Sequence, residues 1–298
     1  MPPYLSEIAD DVYAYVQPDG GWCLNNAGLV VAEGEALLID TAATERRALA
    51  LREAVRSVSP ALPRLLVNTH SHGDHTFGNY LFPEATVVGH RGARTEVTGI
   101  GMHLTTLWPD VCWGDLELRP PQLTFEDRLT VHVGGTEARV LHLGPAHTGS
   151  DVVVWLPGQR VLFTGDIVMS GATPFCPMGS VAGSLDAVRA LRALRPRVVV
   201  AGHGPVAGEE LLDTTEGYLL LLQRLAKEGV AAGATVLDVA REAELGAYAK
   251  LLDAERIVPN LHRAYLEERG AERGCPVDMP ALFAEMVEFN GGLPACHA

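Results

Sequence analysis

The sequence predicts an α/β fold in which two β/α halves meet with their strand ends together, followed by a helical C-terminal third. Three observations carry this reading. Strand-length apolar runs rich in Val and Leu recur through the first two thirds of the chain. The chain also echoes itself. LLIDT (Leu37 to Thr41) is followed by a helical pattern and then by PRLLVNTH, ending at His70; LFTGD (Leu162 to Asp166) is followed by a helical pattern and then by PRVVVAGH, ending at His203. After Gly208, Val, Gly and Pro give way to Leu, Ala and Glu.

Taken in order, Val12 to Val16, Leu29 to Ala32 and Ala36 to Ile39 read as strands. Thr44 to Val58 places Leu51, Ala54, Val55 and Val58 on one helical face. Further strands are expected at Arg64 to Val67, Thr86 to Val88, Val131 to Val133, Ala138 to His142, Val152 to Leu156, Val161 to Phe163 and Val198 to Ala201. Ser184 reads as the cap of a helix running to Leu194. The last third reads as helices over Tyr218 to Ala226, Ala234 to Ala243, Ala247 to Glu268 and Pro280 to Phe289. These runs are too apolar to stand in water alone, so they are expected to pack on the first part. The expected division is one domain over 1–208 and a helical region over 209–298.

A chain of 298 residues with 47% hydrophobic content can bury a substantial core. Its net charge of −14 argues against a nucleic-acid surface, which draws on clustered Lys and Arg. The start, MPPYLSEIADDVYAY, has neither a basic beginning nor an apolar run, and no stretch is apolar enough to span a bilayer. The five cysteines, Cys23, Cys112, Cys176, Cys275 and Cys296, show no C-x-x-C spacing and read as free thiols. The expected location is cytoplasmic.

The residues that carry chemistry begin with NTHSHGDHTFGN, 68 to 79. His70 and His72, two apart, can converge on one ion, while Asp74 and His75 can turn toward a second. His147 in GPAHTGSD, Asp166 at the end of VLFTGD and His203 at the end of VVVAGH stand where the fold would deliver further donors. Asp166, with two carboxylate oxygens, is the natural bridge. His90, His103, His132, His142, His262 and His297 lack ligand-like context, although His103 and His142 could line a pocket.

HSHGDH, the His of PAHT, the Asp of FTGD and the His of AGHG together resemble the metallo-β-lactamase superfamily. The resemblance spans roughly residues 10 to 208. It implies an αββα sandwich with a binuclear site at its edge. One metal would be held by His70, His72 and His147, the other by Asp74, His75 and His203, with Asp166 between them. Asp40 matches the aspartate of the first motif and is expected to support a ligand, not to be one. Two zinc ions are expected, since the donors are imidazole and carboxylate without thiolate, and iron or manganese would accept the same set. Such a pair could polarise a carbonyl and activate water for acyl hydrolysis, or stabilise an enolate. Asp74 and Asp166 are the expected catalytic carboxylates.

Three further stretches look specialised: GGWCLNNAG (Gly20 to Gly28), LWPDVCWGDLELRPP (Leu107 to Pro121) and VMSGATPFCPMGSVAGS (Val168 to Ser184). Their Trp22, Trp108, Trp113, Met169, Phe175 and Met178 are expected to line a broad apolar pocket. GGWC, LWPxVxWGxxELRPP, GPAHTxxDVVVWLP, VMSGxTPF, GSVAG, GHGPVAG, LLDAER and NLHRA are similar to the aromatic polyketide cyclases of this fold, of the actinorhodin cyclase/thioesterase type. That likeness runs from about Gly20 to Gly292. It implies aldol ring closure of a carrier-bound poly-β-ketone and release of the product by thioester hydrolysis. The implied partner is a polyketide thioester on an acyl carrier protein, in type II polyketide antibiotic biosynthesis. A homodimer is one expectation for the assembly; neither nucleic acid nor membrane is expected as a partner. The rival reading is a simple thioester hydrolase of the glyoxalase-II kind, without cyclase activity.

Overall fold

The computed structural model describes residues 1–59 and 61–298. Its first sheet runs in chain order through β1 (Tyr4–Ala9), β2 (Val12–Val16), β3 (Ala27–Ala32), β4 (Glu35–Ile39), β5 (Leu65–Val67), β6 (Thr86–His90) and β7 (Leu123–Phe125). Helices α1 (Glu45–Val58), α2 (Gly73–Thr76), α3 (Arg91–Ile100) and α4 (Leu104–Leu107) connect its later strands. The second sheet is built from β8 (Arg128–Val133), β9 (Thr136–His142), β10 (Val152–Leu156), β11 (Val161–Phe163) and β12 (Val198–Val200), in the order β12-β11-β10-β9-β8. Helix α5 (Val181–Ala193) links β11 to β12, and α6 (Glu210–Ala232), α7 (Val236–Glu242), α8 (Ile257–Glu268) and α9 (Met279–Asn290) follow.

Side-chain alternation sets the layers. In β4, Leu37 and Ile39 join the core between the sheets, while Leu38 faces outward onto Leu51 and Val55 of α1. In β10, Val152, Val154 and Leu156 enter the same inner core, while Val153 and Trp155 face out toward α5, α6 and α8. The result is helix, sheet, sheet, helix. Strands covered on both faces read as continuous apolar runs, which is why the sequence marks them well. Each fully buried Val or Leu stabilises the fold by about 1.5–3 kcal/mol.

The internal echo has a structural counterpart. β4 pairs parallel with β5, and β11 pairs parallel with β12, each crossover passing through a helix. Asp40 and His70 lie just beyond one pair of strand ends, and Asp166 and His203 just beyond the other.

The structure departs from the sequence reading in three places. β1, β7 and the helices α2, α3 and α4 were not anticipated. β1 is exposed or half-buried along its length and pairs with β2 at the sheet edge, so it carries little hydrophobic signal; β7 is three residues long. The cap of α5 is Ser180, not Ser184. Ser180 Oγ accepts from the Gly183 N–H at 2.8 Å, and the Glu267 carboxylate accepts from Val181 and Ala182 N–H, both at 2.9 Å. Ser184 is already inside the helix and buried. The stretch Ala247 to Glu268 is not one helix. Gly246 and Asp253 adopt positive φ of 54° and 56°, and Leu252 pairs with the backbone around Ala172. Regular α-helix resumes only at Ile257.

The C-terminal helices are part of the same packed body. α6 buries Leu211, Leu212, Thr215, Tyr218, Leu219 and Leu222 along one face against α5 and α8, and ends at Gly233 in the left-handed region. Among the described residues no helix is long and apolar enough to cross a membrane.

Candidate active site

Four loops beyond strand ends supply the site. After β5 the chain turns through Asn68 and Thr69, whose polar groups fix it. Asn68 Nδ2 donates to His75 O at 3.2 Å, and Thr69 N donates to Asp40 Oδ1 at 2.7 Å. The first turn of α2 then carries Asp74 and His75 back toward the same point. His147 sits on the turn after β9. Asp151 holds that turn by accepting from Ala146 N at 3.1 Å, Thr148 N at 2.8 Å and Thr148 Oγ1 at 2.8 Å. Asp166 follows β11 and His203 follows β12. Between these last two, Gly202 is required by space, because a Cβ there would lie 1.9 Å from Asp166 Oδ1.

These loops bring together every metal-binding candidate named from the sequence. His70, His72, His147 and Asp166 form one group of donor atoms, and Asp74, His75 and His203 a second; within each group the donors lie within 4.8 Å of one another. Asp166 faces both. Its Oδ2 lies 3.4 Å from His147 Nε2 and 3.5 Å from His203 Nε2, and its Oδ1 lies 3.1 Å from His75 Nε2. Asp74 Oδ2 is 3.3 Å from His203 Nε2. All of these side chains are buried except His72, which is half-buried at the cavity wall.

The outer ring nitrogens are already spent. His75 Nδ1 lies 2.9 Å from Asp40 Oδ2, His70 Nδ1 3.0 Å from Thr69 Oγ1 and His203 Nδ1 3.2 Å from Gly21 O, while His147 Nδ1 meets Phe175 O. Each acceptor fixes the tautomer and leaves Nε2 aimed at the centre. Asp40 therefore stands behind His75, as expected from the sequence.

Charge divides the cluster. Burial pushes the His70 and His72 imidazoles down, and that of His147 down to about 3, so this group is neutral. Burial acts in the same sense on His203, but Asp166 and Asp74 outweigh it and raise the group to about 9. His75 is likewise raised, against burial, by Asp166, Asp40 and Asp74. Burial would raise the Asp74 carboxyl, yet His75 and His203 hold it down to about 2.

The donor set fits a pair of cations. His70 Nε2 and His72 Nε2 are buried without a hydrogen-bond partner, and His75 Nε2 and Asp166 Oδ1, 3.1 Å apart, have only each other. Each unpaired buried polar atom costs about 1–3 kcal/mol. His72 Nδ1 and His147 Nε2 stand 2.9 Å apart although His147 already uses its Nδ1 on a carbonyl, which leaves its Nε2 a bare lone pair. Cations at the centre of the cluster would give the lone pairs of His70 Nε2 and His147 Nε2 a positive partner, and the cluster is compatible with a binuclear metal site.

A cavity of about 260 Å³ opens on the cluster. Trp22, Trp108, Met169, Phe175 and Met178 line it as expected, beside His72, Asp74, His147, Asp166 and His203. Trp113 does not. It lies behind Phe77, at 6.3 Å between ring centroids, and donates its Nε1 to Trp108 O at 3.1 Å. The loop folds it back as a support because its neighbour Trp108 takes the inner position. His103 lines the cavity, whereas His142 stacks on His90 at 4.0 Å, away from it. The sequence reading missed Arg256, Met279 and Phe283, which the helical region contributes to the wall. LLDAER had marked the first of these as a motif without a role. Asp151 was missed too, although its place four residues after His147 was a usable signal.

Over residues 20–203 the sequence matches the family described as the Metallo-beta-lactamase superfamily. The chain belongs to that superfamily. A metallo-beta-lactamase type 2 of Bacteroides fragilis is 26% identical over 225 residues, covering 71% of this chain and 83% of that protein. An acyl-coenzyme A thioesterase MBLAC2 of Bos taurus is 24% identical over 185 residues, 56% of this chain and 65% of that one. A hydroxyacylglutathione hydrolase of Rhodospirillum rubrum is 31% identical over 142 residues, 46% of this chain and 47% of that one, so the chain spans about half of its length. A solved metallo-beta-lactamase from Pontibacter korlensis superposes with a TM-score of 0.60 at 22% identity, over 73% of this chain and 99% of that one. The match supports the αββα fold. Superfamily membership and the cluster together support a metal-dependent hydrolase. The superfamily match ends at His203, before α6 to α9, which supply Arg256, Met279 and Phe283 to the cavity.

Proposed function

We propose that the protein is a binuclear thioester hydrolase that also closes a ring on a carrier-bound poly-β-ketone, as an aromatic polyketide cyclase of type II antibiotic biosynthesis. The observation that carries this reading is the shape of the cavity, in which one polar floor of histidines and aspartates meets walls of Trp, Phe and Met. Such walls suit a planar, partly cyclised polyketone more than a small polar acyl group.

In this reading His70, His72 and His147 would hold one ion and Asp74, His75 and His203 the other, with Asp166 facing both. Zinc is the proposed metal; iron or manganese would also accept these donors. A divalent pair, when bound, supplies Lewis acidity to a carbonyl oxygen and lowers the pKa of water toward about 7. The chain's own groups do the rest. Trp22, Trp108 and Phe175 hold the acyl chain and exclude water. Asp74, ionised beside His75 and His203, takes the proton from the activated methylene as its carbon bonds to a ketone carbon, whose oxygen becomes a hydroxyl. In the second step water adds to the thioester carbon, the carbon–sulfur bond breaks, and the carrier thiol leaves with a proton.

The second reading is a simple thioester hydrolase without ring closure. The similarity to an acyl-coenzyme A thioesterase and to a hydroxyacylglutathione hydrolase favours it. Mass-resolved product analysis separates the two. The purified protein receives a partly cyclised polyketide thioester on a carrier or a short thiol, with a chelator-treated control. A new ring and free acid, both lost on chelation, support the cyclase reading; uncyclised acid alone supports the hydrolase.

A further inference from the structure

Two thiols that the proposed reaction does not use meet beside the cavity. Cys23 is buried and lines the wall next to Trp22. Cys296 comes to it from the C-terminal tail and is half-buried. Cys296 Sγ lies 3.6 Å from Trp22 O, and the two thiols are hydrogen-bonded to each other. Both side chains belong to one apolar cluster with Ala43 and Trp108. The tail is placed by tertiary contacts, not by regular structure. Past Gly291, which ends α9, Leu293, Ala295 and His297 are exposed. Pro294 O accepts from Trp108 Nε1 at 2.7 Å, and His297 O accepts from Arg47. Cys23 itself adopts φ 62°, a backbone that residues with a Cβ rarely take and that persists where the surroundings over-determine it. The other three cysteines are engaged differently. Cys275 Sγ accepts from Arg263 Nη1 at 3.0 Å, Cys176 Sγ lies 3.5 Å from Asn260 Oδ1, and Cys112 is exposed. The hydrogen bond between Cys23 and Cys296 also divides their roles. It raises the Cys23 thiol, with burial adding to the effect, and it lowers the Cys296 thiol. The more thiolate-like sulfur is therefore the one on the half-buried tail, with a protonated thiol held against it.

We propose that Cys23 and Cys296 form a redox site, which a hydroperoxide oxidises to a disulfide that fastens the C-terminal tail to the cavity wall. The Cys296 sulfur attacks one peroxide oxygen. The O–O bond breaks, a sulfenic acid forms on Cys296, and water leaves. The Cys23 sulfur then attacks the sulfenic sulfur. The S–S bond forms, the S–O bond breaks, and the hydroxide leaves as water with the Cys23 proton. The two thiols together lose two electrons, and hydrogen peroxide is reduced to two waters. A peroxide is small enough to suit a half-buried target. The bond ties Trp22 and Cys23 to the tail that also accepts from Trp108, so the state of the pair sets how firmly this part of the wall is held. It joins residues near opposite ends of the chain, the case in which a cross-link restricts the unfolded state most.

The test treats the purified full chain with an equimolar dose of hydrogen peroxide, alkylates the remaining thiols after unfolding, and maps the peptides by mass. The expected product has lost two hydrogens and yields a linked pair of peptides containing Cys23 and Cys296, which dithiothreitol separates. Its melting temperature should rise by on the order of several degrees over the reduced chain. In Cys296→Ser both the link and the rise should be absent. In Cys23→Ser the intermediate cannot be resolved, so the sulfenic acid on Cys296 should persist and be trapped by dimedone. A wild-type Cys296 that stays a free thiol, stops at the sulfenic acid or links to another cysteine overturns the proposal. Should Cys23→Ser fail to fold, the wild-type map and Cys296→Ser decide alone. No readout requires turnover, so the outcome is independent of which acyl group the cavity takes.

Discussion

The floor and the walls of the cavity touch at Phe175 and Met169, which meet His147 and His203, but are specified in different ways. The floor comes from side chains placed within a few residues of strand ends, in two halves that echo each other. The walls depend on contacts between distant parts of the chain. Trp22 is held by Glu255 across 233 positions, and Trp108 donates its Nε1 to Pro294 O across 186. Met279 and Phe283 complete the walls from α9, outside the stretch matched to the superfamily. The difference teaches that the available chemistry is written locally, at the edge of a shared sandwich, while the choice of substrate is written in tertiary packing peculiar to the extended chain.

That division can be broken at either side, and the largest effect is expected at the floor. His72→Ala removes a donor from the first group. Thioester turnover should fall by more than about a hundredfold, beyond the 10–100-fold range of losses at supporting partners, with ring closure falling equally. Product analysis on a single substrate checks both. Retained ring closure would detach that step from the cluster.

Behind the floor, Asp40→Asn and Asp151→Asn should each weaken metal retention by roughly 10–100-fold, as is usual for partners that orient a ligand. Asp40 acts through His75, and Asp151 through the turn that carries His147. Competition with a chromogenic chelator measures the loss. Unchanged retention in Asp151→Asn would mean that the turn holds itself.

The electrostatic split within the floor predicts a pH effect on the metal-free protein. His203 is raised from its ordinary value to about 9, so its stabilising contribution is complete below about 6.5 and is lost as pH rises through 9. Asp74, held to about 2, contributes above its ordinary value near 4 and loses that contribution as pH falls toward 2. Metal-free protein should therefore melt lower at pH 10 than at pH 6, by on the order of a few degrees for a chain of this size. A melting temperature that stays level between those values would contradict the charged state assigned to His203.

The smallest effect belongs to Trp113→Phe. This side chain supports the wall from behind, and the change removes one hydrogen bond to Trp108 O, about 1 kcal/mol of stability. Product identity should not change. A changed product would place Trp113 in the cavity after all.

The same division explains what could be read from the sequence. Strands such as β4, β10 and β11 were legible because both of their faces are buried, which turns each into an apolar run. All seven residues of the cluster were legible because histidines and aspartates so close to strand ends have little structural reason to be there. Asp40 was legible through the resemblance to the first motif of the superfamily. Ser184 was mistaken for the helix cap because the carboxylate that completes the true cap, Glu267, lies 86 positions from Val181 and leaves no local mark. Trp113 and Trp108 stand in one motif, and only packing decides which faces the cavity. Arg256 carried no signal as a cavity residue, since its placement depends on Met169, Thr173 and Trp22, all far away in sequence.

The most direct test of a chemical floor and a selective wall is Trp22→Ala assayed on a partly cyclised polyketide thioester, with ring closure and hydrolysis resolved by mass in the same reaction. The account predicts that hydrolysis persists within a fewfold of wild type while the ringed product gives way to uncyclised acid. If both products fall together in a protein that retains its metal, or if the ringed fraction is unchanged, then the wall does not direct the outcome and the division is wrong.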